Sequence, residues 1–273
     1  LTREICMEEK FEVDEAAFNV ELEKQRQRGR ANVVSAFVNF QAINPGDYQP
    51  TVFTGYQTMS DTATVLDVVS AKDQVLVITD KTPFYAESGG QIGDKGQINN
   101  GSAVFVVDTT ESTEGVYLHI GRWQGTQTFA RGAQVQMQVD VTSRRATMRN
   151  HTATHLLHKA LQQVLGDHVK QAGSQVSPDR LRFDFTHFEG ISAADLEKIE
   201  TIVNQQILAA HNVHVDEKSY EEAVKTGAMA LFGEKYGDRV RIISVGNYSK
   251  ELCGGTHIGN SAEIGLFSIA SES

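Results

Sequence analysis

The stretch Asn150-His151-Thr152-Ala153-Thr154-His155-Leu156-Leu157-His158 decides how this chain is read. Leu156, Leu157, Leu161 and Val164 fall at helical spacing, which predicts a helix over residues 143–165 that Gly166 ends. On such a helix His151 and His155 lie four apart, so both imidazoles project from one face and can converge on one ion. Far downstream, Cys253-Gly254-Gly255-Thr256-His257 repeats the same spacing. Its two glycines disfavour a helix and favour a tight loop that bends around an ion. Three imidazole nitrogens and one thiolate form a soft set, able to be tetrahedral, that suits Zn2+ better than Mg2+ or Ca2+.

Composition bounds what surrounds this centre. At 273 residues the chain can bury a sizeable core, and two domains with an extra helical piece are expected. With 40% hydrophobic and 22% charged residues it has ordinary globular composition. No apolar run is long enough to span a bilayer and no signal-peptide pattern opens the chain, so no membrane association and a cytoplasmic location are expected. The cysteines, Cys6 and Cys253, are too few for a disulfide framework and read as reduced thiols. The start at Leu1 and the strand-like Ser268-Ile269-Ala270-Ser271 near the end suggest a fragment of a longer protein. A net charge of -10 argues mildly against a nucleic-acid partner. Charge is local, however: Arg144, Arg145, Arg149, Lys159, Lys170, Arg180, Arg182 and Lys250 surround the two half-sites, as either a basic rim or a solvated mixed surface.

Working outward, residues 14–28 carry a helical pattern with Asp14 as cap, Phe18 and Leu22 four apart, and a basic last turn before Gly29. Its thin apolar face suits the end of a preceding domain, with a linker or an RNA contact over residues 24–30. Strand signals then follow at short intervals: residues 51–53, 62–69, 74–79, 103–108, 116–120 and 134–141. Asn99-Asn100-Gly101 joins two strand-like runs as a hairpin turn does. Between them Pro83-Phe84-Tyr85-Ala86-Glu87-Ser88-Gly89-Gly90-Gln91-Ile92-Gly93-Asp94 is too glycine-rich and polar for a plain strand. It is either a tight turn with positive φ at Gly89 or Gly90 or a loop whose backbone approaches a ligand.

After the central helix, residues 171–176 and 181–185 read as a strand pair. Ser192 with Asp195 opens a long helix faced by Leu196, Ile199, Val203 and Ile207, and Ser219 with Glu222 opens a shorter one. Residues 239–245 form a strand leading to the Cys253 loop. The expected class is α+β: a small antiparallel β-barrel, then an α/β two-layer core with helices on one face of a mostly antiparallel sheet, behind a helical N-terminal lead-in.

The chemistry has competing readings. A zinc peptidase would carry Glu directly after the first histidine, where this chain has Thr152, so peptidase chemistry is disfavoured. Four protein ligands can also close a purely structural zinc site. His158 is a group behind the ligands, a phosphate contact or a packed residue. His119, His168, His187, His211 and His214 lack partners at ligand spacing and read as ordinary surface or core residues.

The order and spacing of Asn150 to His158, then Leu181-Arg182-Phe183-Asp184-Phe185, then Leu252-Cys253-Gly254-Gly255-Thr256-His257 resemble the editing domain of alanyl-tRNA synthetases. Residues 83–93 resemble the glycine-rich motif of the same family, and the resemblance covers essentially the whole chain. It implies an internal fragment: residues 1–31 ending the preceding tRNA-recognition domain, 32–142 a β-barrel subdomain, and 143–273 the zinc-containing editing core. The aminoacylation and C-terminal domains would be absent, and ligase activity with them. It also implies a deacylase that removes serine or glycine wrongly attached to tRNA(Ala). Carried over by position, His151, His155, Cys253 and His257 become ligands of Zn2+. Thr154, Gln171 and Ser174 become catalytic pocket residues, and Gly89, Gly90, Gln91 and Arg149 become substrate contacts. The alternative is a zinc-stabilised tRNA-binding module without hydrolytic activity. The need for such an activity is physical: a site for alanine cannot exclude a smaller side chain, and an apolar pocket rejects an added hydroxyl only about 100-fold.

Overall fold

The computed structural model describes residues 43–71, 74–226 and 238–272, with Asp14, Ala17, Phe18, Val20, Glu21 and Lys24. The start of the expected first helix is visible: the Asp14 carboxylate accepts the Ala17 N–H at 2.9 Å and its carbonyl accepts the Phe18 N–H. Leu22, Gly29, Cys6 and most of the expected linker lie outside the described residues.

The first half is built from β1 (Val52–Phe53), β2 (Ser60–Ala71), β3 (Gln74–Thr79), β4 (Lys81–Thr82), β5 (Gly96–Asn99), β6 (Val104–Thr113), β7 (Val116–Gln124) and β8 (Gln134–Val139). Six of these close an antiparallel barrel in the order β2-β3-β7-β6-β5-β8, which leaves no open edge to pair with another chain. Alternation explains the closure. In β8, Val135, Met137 and Val139 face inward while the residues between them are exposed, and they meet Ala63, Ile98 and Phe105 in the core. The Asn99-Asn100-Gly101 turn forms as expected: Asn99 pairs with Val104, the Asn100 side chain accepts the Ala103 N–H, and Gly101 has φ 92°. β5 was not singled out from sequence, because Ile98 is the one large apolar residue in its Gly-Gln-Ile-Asn run.

His119 on β7 is fully buried in this barrel wall. Its Nδ1 donates to the Val77 carbonyl at 2.9 Å and its Nε2 accepts from the Thr82 hydroxyl at 2.8 Å, so the neutral ring is satisfied on both sides. Burial pushes its pKa down to about 4. Below about pH 6.5 the unfolded chain gains a proton there that the folded chain refuses until about pH 4, so stability falls with pH through that window by about 1.4 kcal/mol per unit. Urea unfolding of His119→Gln at pH 7, 6 and 5 is expected to show that much less acid sensitivity; an unchanged slope refutes the assignment.

The second half opens with α1 (Val141–Leu165). The helix starts two residues before the expected point, because the Asp140 carboxylate caps the Ser143 N–H at 3.0 Å and draws Val141 out of the strand. Gly166, with φ 114°, ends it. The hairpin β9 (Gln171–Val176) and β10 (Leu181–Phe185) follows, then α2 (Ala193–Leu208), β11 (Val213–Ser219), α3 (Tyr220–Lys225), β12 (Arg239–Val245) and β13 (Ser249–Leu252). Ser219 and Glu222 cap α3 reciprocally, whereas at α2 the Ser192 hydroxyl donates to the Asp195 carboxylate as it accepts the Asp195 N–H. The strands of this half are antiparallel throughout, as a two-stranded hairpin and a sheet of order β11-β12-β13. Leu156, Ala160 and Leu161 of α1 pack with Ile199, Val203 and Ile207 of α2, each large side chain contributing about 1.5–3 kcal/mol. Among the described residues no helix is long and apolar enough to cross a membrane.

Arg144 joins the two halves. It is 1% exposed, so it cannot belong to the basic rim that the sequence suggested. Its guanidinium makes an ion pair with Asp94 and donates to the carbonyls of Gly55 and Pro83 at 2.8 Å each. All three partners lie in barrel loops, which fixes the first turn of α1 against the glycine-rich segment.

Candidate metal centre

Helix periodicity places His151 and His155 on the buried face of α1, with their rings parallel and centroids 5.5 Å apart. β13 delivers the other half: its chain runs directly into Cys253, and the loop beyond returns His257 to the same point. One nitrogen or sulfur from each of His151, His155, Cys253 and His257 lies within 4.8 Å of the others. Cys253 Sγ is 3.3 Å from His151 Nε2 and 3.4 Å from His257 Nε2. Bonds of about 2.0–2.3 Å to a tetrahedral ion set such edges at about 3.5 Å.

A second layer orients the imidazoles. His151 Nδ1 donates to Gln91 Oε1 at 2.8 Å and His155 Nδ1 donates to Glu251 Oε2 at 2.7 Å. Thr152 Oγ1 gives its proton to the Met148 carbonyl and so accepts from His257 Nδ1 at 3.1 Å. Each Nδ1 bond fixes its ring and leaves Nε2 as the nitrogen that faces the other donors. His155 Nε2 is buried and has no hydrogen-bond partner among the described residues, the orphan that an ion would satisfy. Donor types, spacing and the orphaned nitrogen all fit a metal.

The electrostatics favour a cation. Burial would push the Glu251 carboxyl up, but His155 and His158 outweigh it and hold it at about 2. Burial likewise opposes ionisation of Cys253, and His151 and His257 overcome it, holding the thiol well below its ordinary value. Burial and then His151 push His257 down to about 3, leaving it neutral. Glu251 was missed from sequence, yet it is 3% exposed and bridges two histidines, His155 through one oxygen and His158 through the other at 3.1 Å. The signal for it was strand alternation, since Glu251 and Cys253 are two apart and share a face. Glu251→Gln is expected to weaken metal binding about tenfold, measured by competition with a chromophoric chelator.

The loop between Cys253 and His257 has its own supports. Tyr56 Oη donates to the Gly254 carbonyl at 2.5 Å, Arg241 donates to the Gly255 carbonyl at 2.8 Å, and the Arg241 guanidinium lies 3.5 Å over the Tyr56 ring. A Cβ on Gly255 would sit 2.0 Å from the His151 ring, so only glycine lets the loop come this close. Neither Tyr56 nor Arg241 has a local sequence signal, because each meets the loop through tertiary packing.

A cavity of about 70 Å³ opens beside three of the four donors, His151, His155 and Cys253, and is also lined by Gly89, Thr154, Gln171, Ser174, Glu251 and Gly254 among others. That is room for a few water-sized groups. The glycine-rich segment reaches it from the barrel: Gly90 accepts the Val176 N–H at 2.7 Å, and a Cβ there, at φ +82°, would lie 2.3 Å from Ser174 Oγ. Gln171 donates to Ser174 Oγ at 3.3 Å. Thr154 donates to the Asn150 carbonyl at 2.8 Å, which leaves its oxygen lone pairs for the cavity. Gln91 is fully buried behind His151 and also bonds Thr256, so it faces the histidine and not the cavity. Arg149 is half-buried on α1 and does not line the cavity.

The chain is similar to known proteins in both of its halves. A family described as tRNA synthetases class II (A) matches residues 1–143, and one described as the threonyl and alanyl tRNA synthetase second additional domain matches residues 240–273. Alanine--tRNA ligases are similar along the whole chain: that of Halorhodospira halophila is 48% identical over 282 residues, and that of Thermotoga maritima 48% over 287. The chain spans 32% of the length of the first and 33% of the second.

Proposed function

We propose, from the premise that this chain belongs to the class II tRNA synthetase family in its alanyl form, that residues 143–273 with the barrel of residues 32–142 hydrolyse serine and glycine from mischarged tRNA(Ala). The observation that carries this reading is a four-donor cluster adjoining a cavity walled by the polar side chains of Thr154, Gln171 and Ser174. In the whole protein its partners are the aminoacylation and C-terminal parts of the synthetase, in the cytoplasm.

The ion proposed is Zn2+, held by His151, His155, Cys253 and His257, a donor set of three imidazoles and one thiolate. When bound it supplies Lewis-acid polarisation or alignment of the aminoacyl group. The chain's own residues do the rest. Gln91, Glu251 and Thr152 fix the ligand rings, and Gly89 and Gly90 let backbone approach the substrate. Gln171 and Ser174 form the polar wall that orders water and ester, and Arg149, outside the cavity, takes a tRNA phosphate. A second reading, a zinc-stabilised tRNA-binding module, is favoured by the count of four protein donors, which alone can close a tetrahedral shell.

Thr154 is the proposed discriminator. With its proton on Asn150, its oxygen can accept the hydroxyl of a bound serine, while alanine offers no donor. Hydrolysis of Ser-tRNA(Ala), Gly-tRNA(Ala) and Ala-tRNA(Ala) by the chain tests the function. The first two are expected to turn over faster than the third, and Thr154→Val is expected to narrow the serine-to-alanine ratio about tenfold. No turnover of any of them leaves the binding-module reading.

A further inference from the structure

The motif Leu181 to Phe185 continues into an aromatic feature outside the cleft. His168 Nε2 and His187 Nδ1 are hydrogen-bonded at 2.9 Å, edge to edge, with centroids 5.2 Å apart and 18° between planes. Phe188 stacks on the same His168 ring at 5.1 Å and 23°. The two imidazoles form one nearly flat slab, and Phe188, lying against its His168 half, is 77% exposed. The two segments are tied by backbone: the Thr186 N–H bonds the Lys170 carbonyl at 3.0 Å, and the Thr186 hydroxyl bonds the His168 carbonyl at 3.0 Å. A lone exposed phenylalanine needs no explanation, but one whose inner face lies on a hydrogen-bonded imidazole offers its outer π-face at low entropic cost.

Its position suggests the occupant. His168 precedes Gln171 of the cavity wall by three residues, so the two Cα atoms are at most about 11 Å apart. Exposed Asp167 and Glu189 adjoin His168 and Phe188 in the chain alongside Lys170, so no net positive charge draws a phosphate backbone there. A planar base is the ligand that this chemistry recognises.

We propose that Phe188, lying on His168, whose ring His187 holds by a hydrogen bond, is a stacking platform for an unpaired base next to the esterified nucleotide at the 3′ end of the RNA. This rests on the reading of the substrate as an aminoacyl-tRNA. The probe is a fluorescein-labelled single-stranded RNA ending in CCA, followed by anisotropy with the full chain. Phe188→Ala and Phe188→Leu are each expected to bind about tenfold more weakly, and Phe188→Trp as tightly as the parent. The loss should persist at high salt, because stacking and not counterion release provides it. Thermal unfolding and metal content of the variants, expected unchanged, separate the effect from misfolding. Binding of the Ala and Leu variants equal to the parent overturns the platform. RNA binding that depends on Phe188 in a chain that hydrolyses no Ser-tRNA(Ala) supports the platform and removes the hydrolase reading alone.

Discussion

Cys253→Ala is expected to lose metal affinity by two orders of magnitude or more, and Ser-tRNA(Ala) hydrolysis with it. The thiolate is the one anionic donor of the set, and it sits within 3.4 Å of two of the three imidazole nitrogens. Structural zinc sites bind with about 10–16 kcal/mol, so a quarter share is about 3 kcal/mol, a factor of a hundred or more. Elemental analysis after dialysis against a weak chelator reads the loss. Stoichiometric metal in the variant removes Cys253 from the ligand set. Cys253→Asp, which restores an anionic donor, is expected to recover part of the binding.

Arg144→Leu should be the most destabilising single substitution outside the centre, at about 3–5 kcal/mol. Burial pushes the Asp94 carboxyl up from its ordinary value, and Arg144 is the charge that opposes it. Without the guanidinium, Asp94 is left in the interior with no counter-charge, and the Gly55 and Pro83 carbonyls lose their donor. Arg144→Lys should recover little, because one ammonium cannot serve a carboxylate and two carbonyls in fixed directions. Thermal unfolding is expected to drop by roughly 10 °C in Arg144→Leu. A drop of only a degree or two would mean that the barrel and α1 are held together by apolar packing alone.

What was legible in sequence was whatever is local. His151 and His155 were readable because helix period fixes their facing, and the Cys253 loop because two glycines exclude a helix there. The barrel strands showed their alternation, except β5, where Gly96, Gln97 and Asn99 leave Ile98 alone to carry it. What is set by distant pairing was not legible. Glu251 meets its histidines across more than ninety positions, and Tyr56 meets Gly254 across 198. Arg144 looked like its neighbours Arg145 and Arg149, and only the barrel loops closing over it make it interior. The resemblance makes Gln91 a substrate contact, but the turn that Gly89 and Gly90 allow directs its amide back to His151. The hydroxyl of Thr154 likewise has its direction set by Asn150, which turns a two-way hydrogen-bonding group into an acceptor.

The most direct measurement is Ser-tRNA(Ala) turnover by this chain as purified, after removal of its metal with a strong chelator, and after return of one equivalent of Zn2+. Hydrolysis is expected in the first state, near-complete loss in the second while the barrel stays folded, and recovery in the third. Undiminished hydrolysis by metal-free, folded protein would contradict the proposal that the four-donor centre serves the reaction.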